Sequence, residues 1–215
     1  MTERFLCRIG AFYDGSYFSY AQKYFYHKRK LGWLELRAFQ SLIEDFVQTK
    51  EPGFTSYRIV YGAWFQGLYS SRHSDDRQRV RDRNQHHALM QVGIAGKFLP
   101  MSASGEKGVD VALAIDALQV ANDGKMDVAV LVTGDGDMVP LARALMEKGI
   151  RVLVAYFEYD DGTGTRGGKG FASERLLRAS NYSLNVNGME KDEEFKPRFG
   201  ALFRRDGEDD GEGEP

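Results

Sequence analysis

The chain has 215 residues, 42% hydrophobic and 28% charged, which suits one globular domain with a sizeable core. Its formal net charge of −2 excludes a global basic field, so any nucleic acid has to be met by a local groove. The single cysteine, Cys7, excludes a disulfide framework, and no apolar run reaches transmembrane length; the expectation is a cytoplasmic protein with Cys7 as a reduced core residue.

Taken in order, Phe5 to Tyr13 predicts a first strand that ends at Asp14-Gly15-Ser16. An aromatic-rich helix follows from Tyr17 to about Lys28, and the basic run His27-Lys28-Arg29-Lys30 reads as its solvated end. Leu36, Phe39, Leu42, Ile43, Phe46 and Val47 recur at helical spacing. Pro52-Gly53 is a turn and Tyr57 to Phe65 a second strand. Between Ser70 and Arg83 stand Arg72, Arg77, Arg79, Arg81 and Arg83 against Asp75, Asp76 and Asp82. These arginines suit phosphate contacts and, equally, a charged surface helix with i,i+4 pairs. The helix runs on through Asn84 to Met90, where His86 and His87 lie about 100° apart and cannot both face one metal.

Gly96 to Met101 predicts a third strand and Ser102 to Gly108 a flexible loop. Val109 to Leu118 is a helix, apolar apart from Asp110 and Asp116. Unpaired buried carboxylates are costly, so both need a reason. Asp110 sits in the first turn, where the helix dipole accepts an anion. Asp116 lies about 120° further round and does not share its face, which suits a structural role.

The chain is organised around Val128 to Leu141. Val128-Ala129-Val130-Leu131-Val132 reads as a strand buried on both faces. It gives way to Thr133-Gly134-Asp135-Gly136-Asp137, after which Leu141, Leu145 and Met146 mark a helix. Gly149 to Phe157 is a further strand, and Asp160 to Gly170 a mobile glycine-rich loop that lacks the Gly-Lys-Ser/Thr of a P-loop. Phe171 to Ala179 predicts a short helix and Tyr182 to Val186 an edge strand. The domain is thus expected over 1–187. A polar tail is expected over 188–215, disordered and closing on the six acids of Asp206 to Pro215.

Strand and helix alternate five or six times, which predicts an α/β fold with a doubly wound, mainly parallel sheet. Open sheets of this kind bind ligands outside the carboxyl ends of their strands. Asp14 and the Asp135/Asp137 pair both follow strands directly. Should those strands be neighbours, with Asp110 leading the helix before the second, three or four carboxylates converge. Their repulsion is relieved most simply by a bound cation.

Three stretches together carry a resemblance: Phe12-Tyr13-Asp14-Gly15-Ser16, then Lys107-Gly108-Val109-Asp110 through Asp116, then Thr133-Gly134-Asp135-Gly136-Asp137-Met138-Val139-Pro140-Leu141. In this order they resemble the NYN domain, the branch of the PIN-like nuclease superfamily that includes the LabA-like proteins. The likeness covers roughly residues 4 to 187. It implies a PIN-like three-layer α/β/α fold and a Mg²⁺- or Mn²⁺-dependent nuclease site, with RNA as substrate. By position, Asp14, Asp110 and Asp135 would be the catalytic metal-binding acids and Asp137 a fourth ligand or an outer partner. Asp116 matches a recurrent acid of unassigned role, and Ser173 matches a Ser near a late helix. Two positions depart from the family pattern. Tyr17 stands where Asn is frequent, leaving Ser16 as the polar neighbour of Asp14, and Ala179-Ser180-Asn181 stands where Ala-Asp often closes the late helix.

Substrate contacts are expected from Ser16, Tyr17 (as a base-stacking ring), Lys107 and Ser173, with Lys169 and the arginines as further candidates. Besides RNA, self-association or a protein partner is left open, and no membrane is implied. A haloacid-dehalogenase-type phosphatase, suggested by Gly134-Asp135-Gly136-Asp137, lacks its second acid because Ser16 follows Asp14-Gly15. An EF-hand loop fails because Val139 occupies its fifth position. No Ser-His or Cys-His set supports covalent catalysis. The alternative to the nuclease is a catalytically weak module on the same fold that binds RNA or protein.

Overall fold

The computed structural model describes residues 4–68, 76–101, 106–164 and 167–204. Arg72, Asp75, Ser102 to Gly105 and the acidic run Asp206 to Pro215, all singled out above, lie outside the described residues. In chain order the elements are β1 (Arg4–Asp14), α1 (Gly15–Lys23, continued by a π-helical turn Tyr24–Arg29), β2 (Trp33–Leu34), α2 (Leu36–Lys50) and β3 (Phe54–Leu68). They continue with α3 (Asp76–Gln91), β4 (Ala95–Pro100), α4 (Val109–Asn122), β5 (Val128–Val132), a 3₁₀ turn (Gly136–Met138) and α5 (Val139–Glu147). The last are β6 (Arg151–Tyr156), β7 (Tyr159–Asp160), β8 (Lys169–Gly170), α6 (Glu174–Arg178), β9 (Tyr182–Asn185), α7 (Lys196–Gly200) and β10 (Phe203–Arg204).

The main sheet has the order β4-β3-β1-β5-β6-β9, and every neighbouring pair is parallel. Period-2 alternation divides its side chains between two cores. Cys7, Ile9, Ala11 and Tyr13 of β1 share one face with Val128, Val130 and Val132 of β5, beneath the aromatics of α1 and α2. Phe12, Ala129, Leu131, Val152 and Val154 point the other way, against α4 and α5. All five residues of β5 are therefore buried, as its β-branched run requires. The result is a three-layer α/β/α fold. In β1, burial pushes the Cys7 thiol up to about 12, helped by Asp127 and Glu51, so it stays a protonated core group. Among the described residues no helix is long and apolar enough to cross a membrane.

One expectation needs correction. Residues 188–204, expected to belong to a disordered tail, fold back on the domain. Met189, Phe195, Phe199 and Leu202 are buried, and β10 pairs antiparallel with β2. Ion pairs Arg29–Glu190 and Arg198–Asp45, both at 2.9 Å, fasten the segment. Its polar composition conceals four widely spaced apolar anchors, which a window average does not register. The glycine-rich loop is likewise tied at its ends, because β7 and β8 form a two-stranded hairpin.

Tyr13 is wholly buried, stacked on Trp64, and its hydroxyl has no hydrogen-bond partner among the described residues. A buried unsatisfied hydroxyl costs stability that an isosteric ring without it does not. Tyr13→Phe is therefore expected to stabilise the protein by about 1 kcal/mol in urea denaturation; a loss of stability would show that the hydroxyl is bonded.

Candidate functional site

The strand order reverses between β1 and β5. From β1 the sheet grows through β3 and β4 on one side and through β5, β6 and β9 on the other. Tyr13 is in register with Val132, so the carboxyl ends of the two strands stand side by side and open the crevice expected at a switch point. A pocket of about 440 Å³ lies there, lined by Asp14, Asp110 and Asp135 with Glu106, Ser173 and Phe171 among others.

Each acid is placed by local structure. Asp14 ends β1 and caps α1: its Oδ1 accepts the Tyr17 N–H at 3.0 Å. Gly15 lets the helix start this close to the sheet, since a Cβ there would run into the Trp64 ring and the Phe65 carbonyl. Asp135 caps the 3₁₀ turn, its Oδ1 accepting from Asp137 N at 2.8 Å, while its own N–H donates to Thr133 Oγ1 at 3.2 Å. Asp110 stands exposed in the first turn of α4, after Gly108 in the left-handed region at φ 77°. Gly134 brings the late segment in: Ser173 N–H donates to its carbonyl at 2.9 Å, and a Cβ would collide with the Phe171 carbonyl.

The field is strongly negative. Burial pushes the Asp14 carboxyl up to about 6, against the opposing Tyr17 N–H bond, and Asp110 and Glu106 push it the same way. Asp110 is also raised, by partial desolvation and then by Asp135, Glu106 and Asp137.

Of the acids expected at the site, Asp14, Asp110 and Asp135 meet in the pocket, whereas Asp137 stays outside its lining and acts through its field on Asp110. Ser16 and Ser173 line the pocket, but the Ser16 hydroxyl donates to Glu106 at 2.9 Å rather than serving Asp14. Tyr17 lines the pocket with its ring held against the core rather than free. Its hydroxyl donates to the Phe157 carbonyl at 3.0 Å and accepts the Phe157 N–H at 2.8 Å, and its ring packs on Phe157. Lys107 is exposed and outside the pocket lining. Lys169 lines the pocket but is paired with Asp160 at 2.8 Å.

Arg79, Arg81 and Arg83 are exposed on α3, which packs against the edge strand β4 and away from the pocket. Asp116 takes the structural role: it accepts from the Tyr61 hydroxyl at 2.6 Å and pairs with Lys97 at 3.7 Å. Glu106 and Phe171 are the additions. Glu106 accepts from Ser16 and from the Gly67 N–H, so a loop acid becomes part of the site wall.

A family model described as NYN domain matches residues 8–185. The chain belongs to the NYN domain family. NYN domains are part of the PIN-like nuclease superfamily, and a nuclease-type function follows at that level. The NYN match spans both acid-bearing strands and the late helix. A crystal structure of a protein of unknown function from Vibrio parahaemolyticus shares the fold, with a TM-score of 0.54 at 21% identity, over 91% of this chain and 98% of that one. Comparison with curated proteins gave no significant match.

The donor set of this NYN domain suits a hard divalent cation: among the described residues it offers carboxylate oxygens and no histidine or cysteine ligand. In spacing, no three acid, histidine or cysteine side chains among the described residues stand close enough to share an ion. Asp110 and Asp135 are both exposed; Asp135 is held by its capping bond and Asp14 by its own, which leaves Asp110 as the acid without a capping bond.

Proposed function

We propose that the chain is a metal-dependent ribonuclease that hydrolyses RNA phosphodiesters at this pocket. The observation that carries the reading is that Asp14, Asp110 and Asp135, from three separate elements, line one pocket at the switch point of an NYN domain. Mg²⁺ or Mn²⁺ held there would neutralise phosphoryl charge and make a bound water acidic enough to attack phosphorus. The chain's own residues supply the rest. Asp14 and Asp135 are held at the strand ends by their capping bonds, and Asp110 swings in from α4. Asp137, from outside the lining, and Glu106 deepen the negative field that draws the cation. Ser173, whose hydroxyl makes no capping bond, is available to the substrate.

The test is cleavage of labelled single-stranded and structured RNA, beside DNA of the same sequence, with Mg²⁺, Mn²⁺ or EDTA. Cleavage by the wild type that EDTA stops, and that Asp135→Asn lowers by at least about a hundredfold, is the expected result. The spacing of the acids favours one other reading, a weakly catalytic module that binds RNA or a protein. RNA bound but left uncut under every condition would establish that reading instead.

A further inference from the structure

We propose that Phe171 is a stacking platform for an unpaired base beside the carboxylate pocket, so that the site takes single strands in preference to duplexes. Among the described residues, three aromatic side chains line the pocket: Tyr17, Tyr20 and Phe171. Tyr17 is locked on Phe157 through both of its hydrogen bonds. Tyr20 is half-buried, with the Lys23 ammonium over its ring and Gly167 against its edge. Phe171 is different. Its ring is 64% exposed and makes no ring contact with another described residue.

Its backbone, by contrast, is fixed on both sides. Gly170 pairs with Tyr159 in the hairpin, the Phe171 carbonyl sits against Gly134, and Ser173 donates to Gly134. The glycine at 134 is what allows this approach, so the turn that presents Asp135 also carries Phe171 to the pocket rim. A solvent-facing ring on a fixed backbone next to the carboxylate pocket meets the requirement of base stacking, which every base satisfies through its π-face. Bases inside a duplex have no free face to offer. The inference rests on the nuclease reading only for where the phosphate lies.

The test is binding of a short labelled oligoadenylate, and of an abasic oligonucleotide with the same backbone, by wild type, Phe171→Ala and Phe171→Trp in EDTA. Phe171→Ala is expected to weaken oligoadenylate binding about tenfold, within the range for loss of one stacked base, and Phe171→Trp to restore it. Binding of the abasic strand is expected to be equal in all three. The proposal falls if Phe171→Ala binds oligoadenylate as the wild type does, if the loss is as large on the abasic strand, or if the wild type binds neither. It also falls if Phe171→Ala dissolves a wild-type dimer in sedimentation, which would assign the ring to a protein contact. Cleavage assays separate the two readings: an oligoadenylate that is stacked but never cut removes the nuclease and leaves the platform, and equal cutting by wild type and Phe171→Ala does the reverse.

Discussion

Asp14→Asn is expected to stabilise the protein in EDTA by about 2–3 kcal/mol at pH 8 and to change its stability little at pH 3.5. Burial, with the charges of Asp110 and Glu106, pushes the carboxyl up to about 6 in the folded chain from an ordinary 3.8. A folded pKa raised in this way means that the folded state holds its proton more tightly than the unfolded one. The ionised group therefore opposes folding in full above pH 6, and the penalty fades as pH falls from 6 to 3.8. At 1.36 kcal/mol per pH unit that interval corresponds to about 3 kcal/mol, an upper figure because water reaches part of the pocket.

Asn keeps the oxygen that caps α1 through the Tyr17 N–H, so the substitution removes charge without removing the cap. The check is urea denaturation of both proteins across pH 3.5–8. A wild-type advantage at pH 8 would show that burial, with the charges of Asp110 and Glu106, does not oppose the ionised Asp14. Under the proposed function the same variant loses cleavage, so stability and activity move in opposite directions, as expected where a site stores repulsion.

Much of this site was readable before the structure. Asp14 and Asp135 each follow an apolar run whose period and β-branching announce a buried strand, and the position of an acid after such a run is local information. That the two runs are neighbours is not local, and only the parallel register of Tyr13 with Val132 brings the acids together. What stayed hidden depends on distant partners. Glu106 looked like one polar residue of a loop because its partner Ser16 is 90 residues away. Tyr17 looked available for stacking because Phe157, which holds it, lies 140 residues on. The sequence places Phe171 inside a helix, whereas α6 begins only at Glu174 and leaves the ring in the approach to it. The fold-back of 188–204 is not legible in the sequence because the residues that offset its ordering are sparse in a polar background.

Phe157 shows how the core supports the site. It follows β6 and is wholly buried, and its ring meets those of Tyr17, Phe18, Phe25 and Phe39. Phe157→Ala is expected to destabilise the protein by about 3–5 kcal/mol, the cost of deleting a buried aromatic and leaving a cavity. Thermal and urea unfolding check this. A loss under about 1 kcal/mol would mean that the four rings collapse into the space.

The effect should reach function as well, because Tyr17 spans the two regions. Its hydroxyl serves both the N–H and the carbonyl of Phe157, while its own N–H holds Asp14. Tyr17→Phe keeps the ring and strands two backbone groups, each costing about 1–3 kcal/mol if left unpaired. Comparison of the two variants then separates packing from hydrogen bonding. The residue that departs from the family's frequent Asn thus has a physical role: a tyrosine long enough to reach Phe157 fixes the start of α1, and with it the carboxylate at the end of β1, to the far side of the core.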